Sequence, residues 1–397
     1  MKNTLSITQK CNLDCSYCYI KKHNSVMSLE IAEMIIDQIF EYANNKEIVD
    51  VGFFGGEPLL NYSLIKDIVD IIENHPQYCE HIIALDVVTN GTIFSDEIAE
   101  FLRHHQITFC VSCDGPPHIQ DAFRKHPNGS GSSRLVEGTI KRALQLLPNV
   151  LVNAVFHPRT FRSLIEVVEY FSSLGIRQIY LSPDFSASWS YNDSALLAKI
   201  YHDLAIMYVD YYRQDDPHYI NIIDSKILLL LKGGYSDGER CKMGCKEFAF
   251  APSGNIYPCE RLIGAGDVNQ HCIGHISKGL SKVKQCRSQS NILSNQKCRE
   301  CSLSNYCMNW CGCSNYFSSG TYDQCGPFIC ASEKAAIAAA TDALRQLEQE
   351  LGAKYMDSLL TFISNRFCMD ERNGTDICAC SSVPEYAVGN RSPIVSP

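Results

Sequence analysis

The chain has 397 residues, enough for one full domain and a smaller second one, and its formal net charge is −9. That acidic balance argues against a surface for duplex nucleic acid, which needs basic patches, and no apolar run reaches the length of a membrane span. The N-terminus lacks the basic and apolar segments of a secretion signal, so we expect a cytoplasmic protein. In that reducing compartment, the 21 cysteines are better explained as ligands of metals or clusters than as disulfides.

Residues 4–182 alternate between candidate strands and candidate helices. The candidate strands are 4–7, 51–54, 83–88, 107–112, 151–156 and 178–182. Helical patterns begin near Ser28, Ser63 and Ser95 and occupy 135–147 and 164–174. Six strand–helix units predict an α/β fold, a partial (β/α)6 barrel of the TIM type with right-handed crossovers. The chemistry of such a fold is expected at the C-terminal ends of the strands.

The second half of the chain predicts a different organisation. A long helix over 192–215 and a short bridge over 221–235 lead into a cysteine-rich block, which is followed by an alanine-rich helix from 331 to about 351. We therefore expect a core domain at 1–220, a loop-rich domain at 221–335, and a C-terminal helix with a mobile, cysteine-containing tail at 336–397.

A three-cysteine motif follows the first candidate strand. Cys11, Cys15 and Cys18 have the spacing C-x3-C-x2-C, and three thiolates can hold a 4Fe–4S cubane while leaving one iron without a protein ligand. A zinc knuckle or three unrelated thiols would be the alternative.

Further motifs stand at the next strand ends. Gly55-Gly56-Glu57-Pro58 follows the second candidate strand, Asn90-Gly91-Thr92 the third, and Ser112-Cys113-Asp114-Gly115-Pro116 the fourth. Taken singly, the last two are ordinary turn sequences. Together with the cysteine motif and with Tyr17, which stands directly before Cys18, these runs resemble the radical S-adenosylmethionine (radical SAM) superfamily.

The resemblance implies roles for several residues. In that family the amino and carboxylate groups of S-adenosylmethionine chelate the open iron, so the turn of Gly55, Gly56 and Glu57 is expected to hold the amino group. Tyr17 is expected near the adenine. The resemblance also makes candidates of three residues for the nucleoside and carboxylate of the cofactor, of which the third could equally be a buried, satisfied amide: Ser112, Arg124 and Asn153.

The second cysteine block contains the run Cys298-x2-Cys301-x5-Cys307-x3-Cys311. Cys241, Cys245 and Cys259 precede it, and Cys325 and Cys330 follow it. A zinc ribbon is the alternative, but eight or more thiolates without a ligating histidine favour two 4Fe–4S clusters. The block resembles the SPASM domain, the auxiliary-cluster domain of radical SAM enzymes that act on ribosomal peptides and proteins.

The resemblance assigns each auxiliary cluster four ligands. One set is Cys241, Cys245, Cys259 and Cys311, and the other is Cys298, Cys301, Cys307 and Cys330. Two points stay open: the gap after Cys245 is one residue short, so the first cluster could keep an open iron, and Cys325 competes with Cys330. The remaining cysteines receive no role: Cys79, Cys110, Cys113, Cys272, Cys286, Cys313, Cys368, Cys378 and Cys380.

Glu260 directly follows Cys259, where sulfatase-maturing relatives have an aspartate thought to take the substrate proton. The resemblance makes Glu260 a candidate catalytic base, and an ion pair with Arg261 is the alternative.

The function expected from the sequence is a radical SAM/SPASM maturase of a ribosomally made peptide, which could form thioether crosslinks. Its cofactors would be S-adenosylmethionine and three 4Fe–4S clusters. Its partners would be the precursor peptide, a reductant such as flavodoxin or ferredoxin, and a separate leader-binding protein, because little chain precedes Cys11. The competing hypotheses are an anaerobic sulfatase-maturating enzyme that makes formylglycine and a non-catalytic iron–sulfur carrier or peptide scaffold. The sequence does not specify the substrate or the product.

Overall fold

One sheet of eleven strands organises the part of the chain that the computed structural model describes, residues 1–44, 46–236, 239–263, 270–281 and 295–359. Its strands are β1 (Lys2–Thr8), β2 (Ile48–Gly55), β3 (Ile82–Thr89), β4 (Thr108–Ser112), β5 (Val150–Phe156), β6 (Gln178–Pro183), β7 (Tyr219–Ile220), β8 (Glu247–Phe250), β9 (Asn255–Tyr257), β10 (Gly274–His275) and β11 (Gly279–Leu280). Their spatial order is β11-β10-β9-β8-β1-β2-β3-β4-β5-β6-β7. Strands β1 to β8 pair in parallel, whereas β8 to β11 form an antiparallel extension.

Helices follow most of the parallel strands. They are α1 (Leu29–Tyr42), α2 (Tyr62–Glu73), α3 (Asp96–His104), α4 (Pro117–Phe123), α5 (Ser133–Leu146), α6 (Leu164–Leu174), α7 (Tyr191–Arg213), α8 (Asn221–Lys232), α9 (Gln296–Arg299), α10 (Gly312–Ser319) and α11 (Pro327–Glu350). None of the helices among the described residues is long and apolar enough to cross a membrane.

The predicted partial barrel is confirmed. All six predicted strands are present as β1 to β6, in sequential order, and the sheet does not close on itself. Two features were not predicted. Strand β8 from the cysteine-rich half pairs in parallel with β1, and the expected bridge over 221–235 contains the helix α8. The second half of the chain therefore extends the first sheet.

Capping side chains explain where several helices begin. Ser28 and Ser95 are N-caps as predicted, each accepting a hydrogen bond from the third residue after it. The start predicted at Ser63 is wrong by one residue, because a 3-10 turn over Pro58–Asn61 runs directly into α2 at Tyr62. At α7, Ser190 and Asp193 form a reciprocal capping box.

Alternation along the strands separates an apolar face from a polar one. Leu5, Val51 and Phe109 belong to the large buried core beneath the helices. The positions that alternate with them carry polar groups, such as Asp50 and Asp86, and face the concave interior of the open sheet.

Helix α11 joins the two halves of the chain. It begins four residues before the predicted position, since Pro327 takes the first helical turn, and it packs against α7 and α8. The predicted boundary between residues 335 and 336 lies inside this helix, and the domain limits stay predictions. The tail predicted beyond α11 lies, from residue 360, outside the described residues, as does Cys286.

Candidate functional site

The three cysteines of the first motif lie on the loop that leaves β1 at its C-terminal end. Cys11 and Cys15 are half-buried free thiols, and Cys18 is an exposed one. Two backbone hydrogen bonds hold the loop against the α4 region, from Asp14 N to the Lys125 oxygen at 2.6 Å and from Ser16 N to the Phe123 oxygen at 3.0 Å. The loop is therefore anchored while its thiols stay accessible.

Two glycines allow the next strand end to approach this loop. The backbone N–H of Gly56 donates to the oxygen of Thr8, and that of Glu57 donates to the oxygen of Lys10, both at 2.8 Å. Gly55 has a φ of +133°, and a Cβ there would lie 2.2 Å from the Thr8 oxygen. A Cβ at Gly56 would lie 2.1 Å from the Lys10 oxygen. Only glycine permits this contact, which places the turn directly beside the cysteine loop.

Glu57 connects that turn to the end of β3. Its buried carboxylate accepts hydrogen bonds from the Asn90 N–H at 2.6 Å, the Thr89 hydroxyl at 2.8 Å and the Leu59 N–H at 3.0 Å. Burial nevertheless raises the pKa of Glu57 to about 7. Asn90 in turn donates to Cys11 Sγ at 3.7 Å, so a hydrogen-bonded chain runs from the glutamate to the first cysteine.

The thiols of this loop need a metal to stay deprotonated. Burial raises the pKa of Cys15 to about 11 and also raises that of Cys11. Bonds to iron replace the thiol protons, and donors to sulfur such as Asn90 Nδ2 and the Leu13 N–H, at 3.4 Å from Cys11 Sγ, are the groups that orient and tune cluster ligands. The loop fits a cluster held by three thiolates.

Tyr17 and Arg124 meet at a buried carboxylate. The Tyr17 hydroxyl donates to Asp114 Oδ2 at 2.5 Å, and Arg124 Nε lies 3.0 Å from Asp114 Oδ1. The guanidinium also lies over the Tyr17 ring, 5.3 Å from its centroid. Asp114 was quoted from the sequence only as part of a turn, yet it positions two predicted cofactor-binding side chains.

Ser112, the last residue of β4, is the register partner of Asn153 in the middle of β5. Both are half-buried, and Asn153 Oδ1 accepts a hydrogen bond from the Ser182 hydroxyl on β6 at 2.9 Å. The predicted polar positions therefore line one continuous strip along the C-terminal edge of the sheet.

Glu260 lies in a short 3-10 turn directly after Cys259. Burial alone would raise the pKa of Glu260, but the Lys2 ammonium and the Arg261 guanidinium outweigh it and lower the pKa below its usual value. Lys2 and Arg261 are thus both cationic neighbours of Glu260. Glu260 is thus held as a carboxylate, the form that a general base requires.

Two groups near Glu260 were missed by sequence reasoning. Burial of its phenol and the nearby charges of Glu260 and Cys18 raise the pKa of Tyr19 well above its usual value, although the residue as a whole is 39% exposed, so this phenol is near Glu260 as well as near the first cysteine loop. Asp50 and Asp86 form a hydrogen-bonded carboxyl pair in the sheet interior, and burial together with Asp50 raises the pKa of Asp86 to about 7. The sequence signal that could have found this pair is the position of both aspartates on the inward-facing side of neighbouring strands.

A first group of thiols surrounds a small apolar cluster in the second cysteine block. Cys241, Cys259 and Cys311 pack around the buried side chains of Met243, Leu262 and Cys313. Cys311 Sγ and Cys313 Sγ are 3.6 Å apart. The structure thus brings together three of the four predicted ligands and adds Cys313. Cys245 is disulfide-bonded, unlike the other described cysteines, and is not part of this cluster.

A second group of thiols lies between α9 and the start of α11. The charges of Cys330 and Cys301 add to burial in raising the pKa of Cys298, and the charges of Cys330 and Cys298 do the same for Cys325. Cys307 is linked electrostatically to Cys325. The predicted ligands come together here, and both candidates for the last position are near.

A buried ion pair supports this second group. Lys226 Nζ on α8 lies 2.7 Å from Glu333 Oε2 on α11 and donates to the Tyr306 oxygen at 3.1 Å. Glu333 also accepts from the Met308 N–H at 2.5 Å. One ion pair therefore fixes the backbone on both sides of Cys307, at Tyr306 and at Met308.

Among the described residues, no group of three or more histidine, cysteine or carboxylate side chains is arranged to hold a single metal ion. A cubane differs from a single ion because each thiolate binds a different iron, so its ligands stand around a larger body. All-thiolate groups without histidine suit that body better than a mixed-ligand ion site.

Comparisons with known proteins agree with this geometry. Residues 5–177 match the family model of the radical SAM superfamily. An uncharacterized protein of Methanocaldococcus jannaschii, MJ0907, is 32% identical over 177 residues, which cover 44% of this chain and 59% of that protein. The radical SAM cyclopropyl synthase TigE of Paramaledivibacter caminithermalis is 26% identical over 340 residues, 77% of this chain and 66% of that protein. The chain thus spans less than two thirds of these two relatives.

A cysteine-type anaerobic sulfatase-maturating enzyme of Clostridium perfringens is 24% identical over 330 residues, which cover 76% of this chain and 85% of that enzyme. Among solved structures, native anSMEcpe with bound AdoMet superposes with a TM-score of 0.73 at 19% identity over 88% of this chain and 100% of that one. Streptococcus suis SuiB bound to its precursor peptide SuiA gives a TM-score of 0.56 at 16% identity over 83% and 75% of the two chains. These likenesses establish the fold.

The family implies a 4Fe–4S cluster and S-adenosylmethionine as cofactors, and the anchored three-cysteine loop with its glycine turn fits them. The chain therefore carries a radical SAM domain at residues 5–177, as enzymes of the radical SAM type do.

Proposed function

We propose that this enzyme modifies a ribosomally made peptide and forms thioether crosslinks in it. The observation that carries the proposal is the pairing of β8 with β1, which joins the second cysteine block to the strand that leads into the three-cysteine loop. Burial and the charges of Glu260 and Cys259 raise the pKa of the phenol of Tyr19, one residue after Cys18, in agreement with this pairing. A radical-generating site and an all-thiolate region joined by one sheet would both reach the same substrate.

The radical SAM site would be held by residues of three strand ends. Cys11, Cys15 and Cys18 would bind the 4Fe–4S cluster, and the turn of Gly55 and Gly56 would receive the methionine end of S-adenosylmethionine. When bound, the two cofactors supply a 5′-deoxyadenosyl radical that removes a hydrogen atom from the substrate. Tyr17, Ser112, Arg124 and Asn153 form the polar strip that would hold the nucleoside and carboxylate.

The concave interior would receive the peptide. It is open on one side and polar, with the Asp50–Asp86 pair and Lys2 on its strands and Glu260 above them. An ionised Glu260 would take a proton from the substrate thiol or carbon. Forming the thioether removes one hydrogen atom and one proton and releases one electron, so an electron acceptor is needed nearby.

The second cysteine block would supply that acceptor as two auxiliary 4Fe–4S clusters, which makes three clusters in the chain. Cys241, Cys259 and Cys311 would hold one, with a fourth thiolate from the same block. Cys298, Cys301, Cys307 and Cys330 would hold the other. In support, these cysteines lie in two separate groups, each with several thiols and no histidine ligand.

The cellular setting follows from this chemistry. Reduction of the first cluster calls for a small electron-transfer protein such as flavodoxin or ferredoxin. We propose a cytoplasmic enzyme that meets its precursor peptide there, with a separate protein binding the leader.

Conversion of a cysteine or serine to formylglycine in a sulfatase is the second candidate. The fold shared with anSMEcpe and the carboxylate directly after Cys259 favour it. Glu260 is one methylene longer than the aspartate of that family, which moves the base and favours the peptide maturase.

Product mass separates the candidates. Iron-loaded protein, S-adenosylmethionine and dithionite would be incubated without oxygen with synthetic cysteine-containing peptides, among them any encoded beside its gene and a sulfatase-derived peptide. A thioether product is two hydrogen atoms lighter and has lost a free thiol, whereas formylglycine made from cysteine has lost sulfur. Cleavage of S-adenosylmethionine with no change in any peptide would contradict both, and no cleavage at all would favour a non-catalytic carrier.

A further inference from the structure

We propose that Cys313, not Cys245, completes the thiolate set of the first auxiliary cluster, together with Cys241, Cys259 and Cys311. This inference rests on the auxiliary clusters of the proposed function and replaces one ligand that the family resemblance suggests. The run in this chain is then Cys307-x3-Cys311-x-Cys313.

The position of Cys313 is the first argument. Its side chain is 5% exposed and, with Met243 and Leu262, forms the small buried cluster against which the other three cysteines pack. Its Sγ is 3.6 Å from Cys311 Sγ, closer than two thiolates on different irons of one cubane stand, so binding of the cluster would move the two side chains apart while both stay within its reach. No other described cysteine outside the predicted set touches this cluster.

The local backbone explains how Cys311 and Cys313 reach the same space. Cys311 is the N-cap of α10, and Cys313 lies in its first turn. Gly312 between them faces the side chain of Met243, since a Cβ there would lie 2.8 Å from Met243 Cε. The missing side chain lets the first turn of α10 approach the loop that carries Cys241 and Met243, and Cys241, Cys311 and Cys313 then share one cluster.

The surroundings favour negatively charged sulfur. The Ser314 hydroxyl lies 3.2 Å from Cys311 Sγ, and both thiols stand at the N-terminal end of the helix, where anions are stabilised. Burial lowers the pKa of Arg261, but the negative charges of Cys313 and Cys259 help to raise it, so the guanidinium lies near both thiols. A helix start, a hydroxyl and a guanidinium would together offset the charge of the thiolate set.

Cys245 lies in a different environment. A tight turn, in which the N–H of Cys245 donates to the Lys242 oxygen at 2.8 Å, separates it from Cys241. Its side chain borders a pocket of about 490 Å³ that is lined by Met1, Tyr42 and Leu280, and it is disulfide-bonded. Cys241 instead packs against the thiol cluster, and its thiol donates to Glu247 Oε2 at 3.0 Å.

The iron content of two matched variants tests the inference. Fully reconstituted wild-type protein should bind about twelve irons, four for each of three clusters. Cys313→Ala should bind about eight, or show a three-iron cluster by electron paramagnetic resonance, whereas Cys245→Ala should keep all twelve. Circular dichroism would check that both variants are folded.

The possible iron contents distinguish failure of the Cys313 assignment from failure of the auxiliary-cluster proposal on which it rests. Loss of iron in Cys245→Ala, with or without loss in Cys313→Ala, would overturn the ligand assignment while leaving two auxiliary clusters in place. A wild-type count near four irons, or tightly bound zinc, would overturn the auxiliary clusters themselves. Zinc is a real competitor, because tetrahedral thiolates on one ion lie about 3.8 Å apart, close to the 3.6 Å between Cys311 and Cys313.

A second measurement applies if Cys313→Ala does not fold. Alkylation of wild-type protein under thiol-reducing conditions, before and after iron is removed with a chelator, would be mapped by mass spectrometry. Cys313 should react only after iron removal, and Cys245 should react equally in both samples. Equal labelling of Cys313 in the two samples would overturn the inference.

Discussion

The two cysteine regions of this protein differ in what surrounds their sulfur atoms. The first has three thiols on one loop, half-buried or exposed, beside a turn of two glycines and a strip of polar strand ends. The second has more thiols than one cluster needs, collected from distant parts of the chain and packed among apolar side chains and a buried ion pair.

This difference indicates a division of labour. A site that binds a small molecule needs an open coordination position and pre-placed polar groups; the first region has the polar groups, and its three thiols are one fewer than the irons of the proposed cluster. If the proposed auxiliary clusters take their ligands from residues 241 to 330, binding of the metal would cross-link the loops of the second region, and cluster assembly would be coupled to folding there.

The largest expected effect comes from removing the three thiols of the first region while the second region is left unchanged. Replacing Cys11, Cys15 and Cys18 together with alanine should abolish formation of 5′-deoxyadenosine while the auxiliary iron stays bound. In the matched variant Cys301→Ala, cleavage of S-adenosylmethionine should persist and the protein should unfold at a lower temperature. Residual 5′-deoxyadenosine from the triple variant would show that the radical site lies elsewhere.

Glu260 stands where the two regions meet, and its change should separate cleavage from turnover. Glu260→Gln keeps the shape and removes the base, so product formation should fall by about 10²–10⁴-fold while uncoupled cleavage continues. Glu239→Gln, at an ion pair with Lys232, is the control and should change neither rate. A normal product yield from Glu260→Gln would leave Glu260 with a purely structural role.

The buried ion pair should affect stability in the second region only. Lys226→Met leaves Glu333 buried without its cation, which costs about 3–5 kcal/mol. The expected result is a lower denaturant midpoint with weaker retention of the second auxiliary cluster. The double variant Lys226→Met/Glu333→Leu should recover much of the loss, and a single variant as stable as the wild type would contradict this account of the pair.

The last expected effect is a pH dependence, which is the smallest per pH unit and belongs to neither region. Burial raises the pKa of Asp224 from 3.8 to about 7, despite hydrogen bonds from the Ile220 N–H and the Tyr208 hydroxyl. The folded state therefore holds the proton more tightly, and stability should fall as the pH rises through that window, by at most about 1.4 kcal/mol per pH unit. Asp224→Asn should flatten this dependence in thermal unfolding, and an unchanged slope would assign it to other groups.

Local patterns were enough to predict much of the fold and of the first region. Each strand end and each serine cap is determined by residues that are close together in the sequence, and the motif from Cys11 to Cys18 lies on one loop. The pairing of β8 with β1 could not be predicted, because it depends on the long-range return of the chain. The same holds for the ion pair of Lys226 with Glu333 and for Cys313, whose role depends on which sulfur atoms meet after folding.

Transfer of deuterium tests the central claim most directly. Iron-loaded protein would be given S-adenosylmethionine, dithionite and a cysteine-containing peptide deuterated at carbon, and the 5′-deoxyadenosine would be weighed by mass spectrometry. The account predicts that deuterium from the peptide appears in 5′-deoxyadenosine and that the peptide loses a free thiol. If fully iron-loaded protein made no 5′-deoxyadenosine, the assignment of the three-cysteine loop as a radical-generating site would be contradicted.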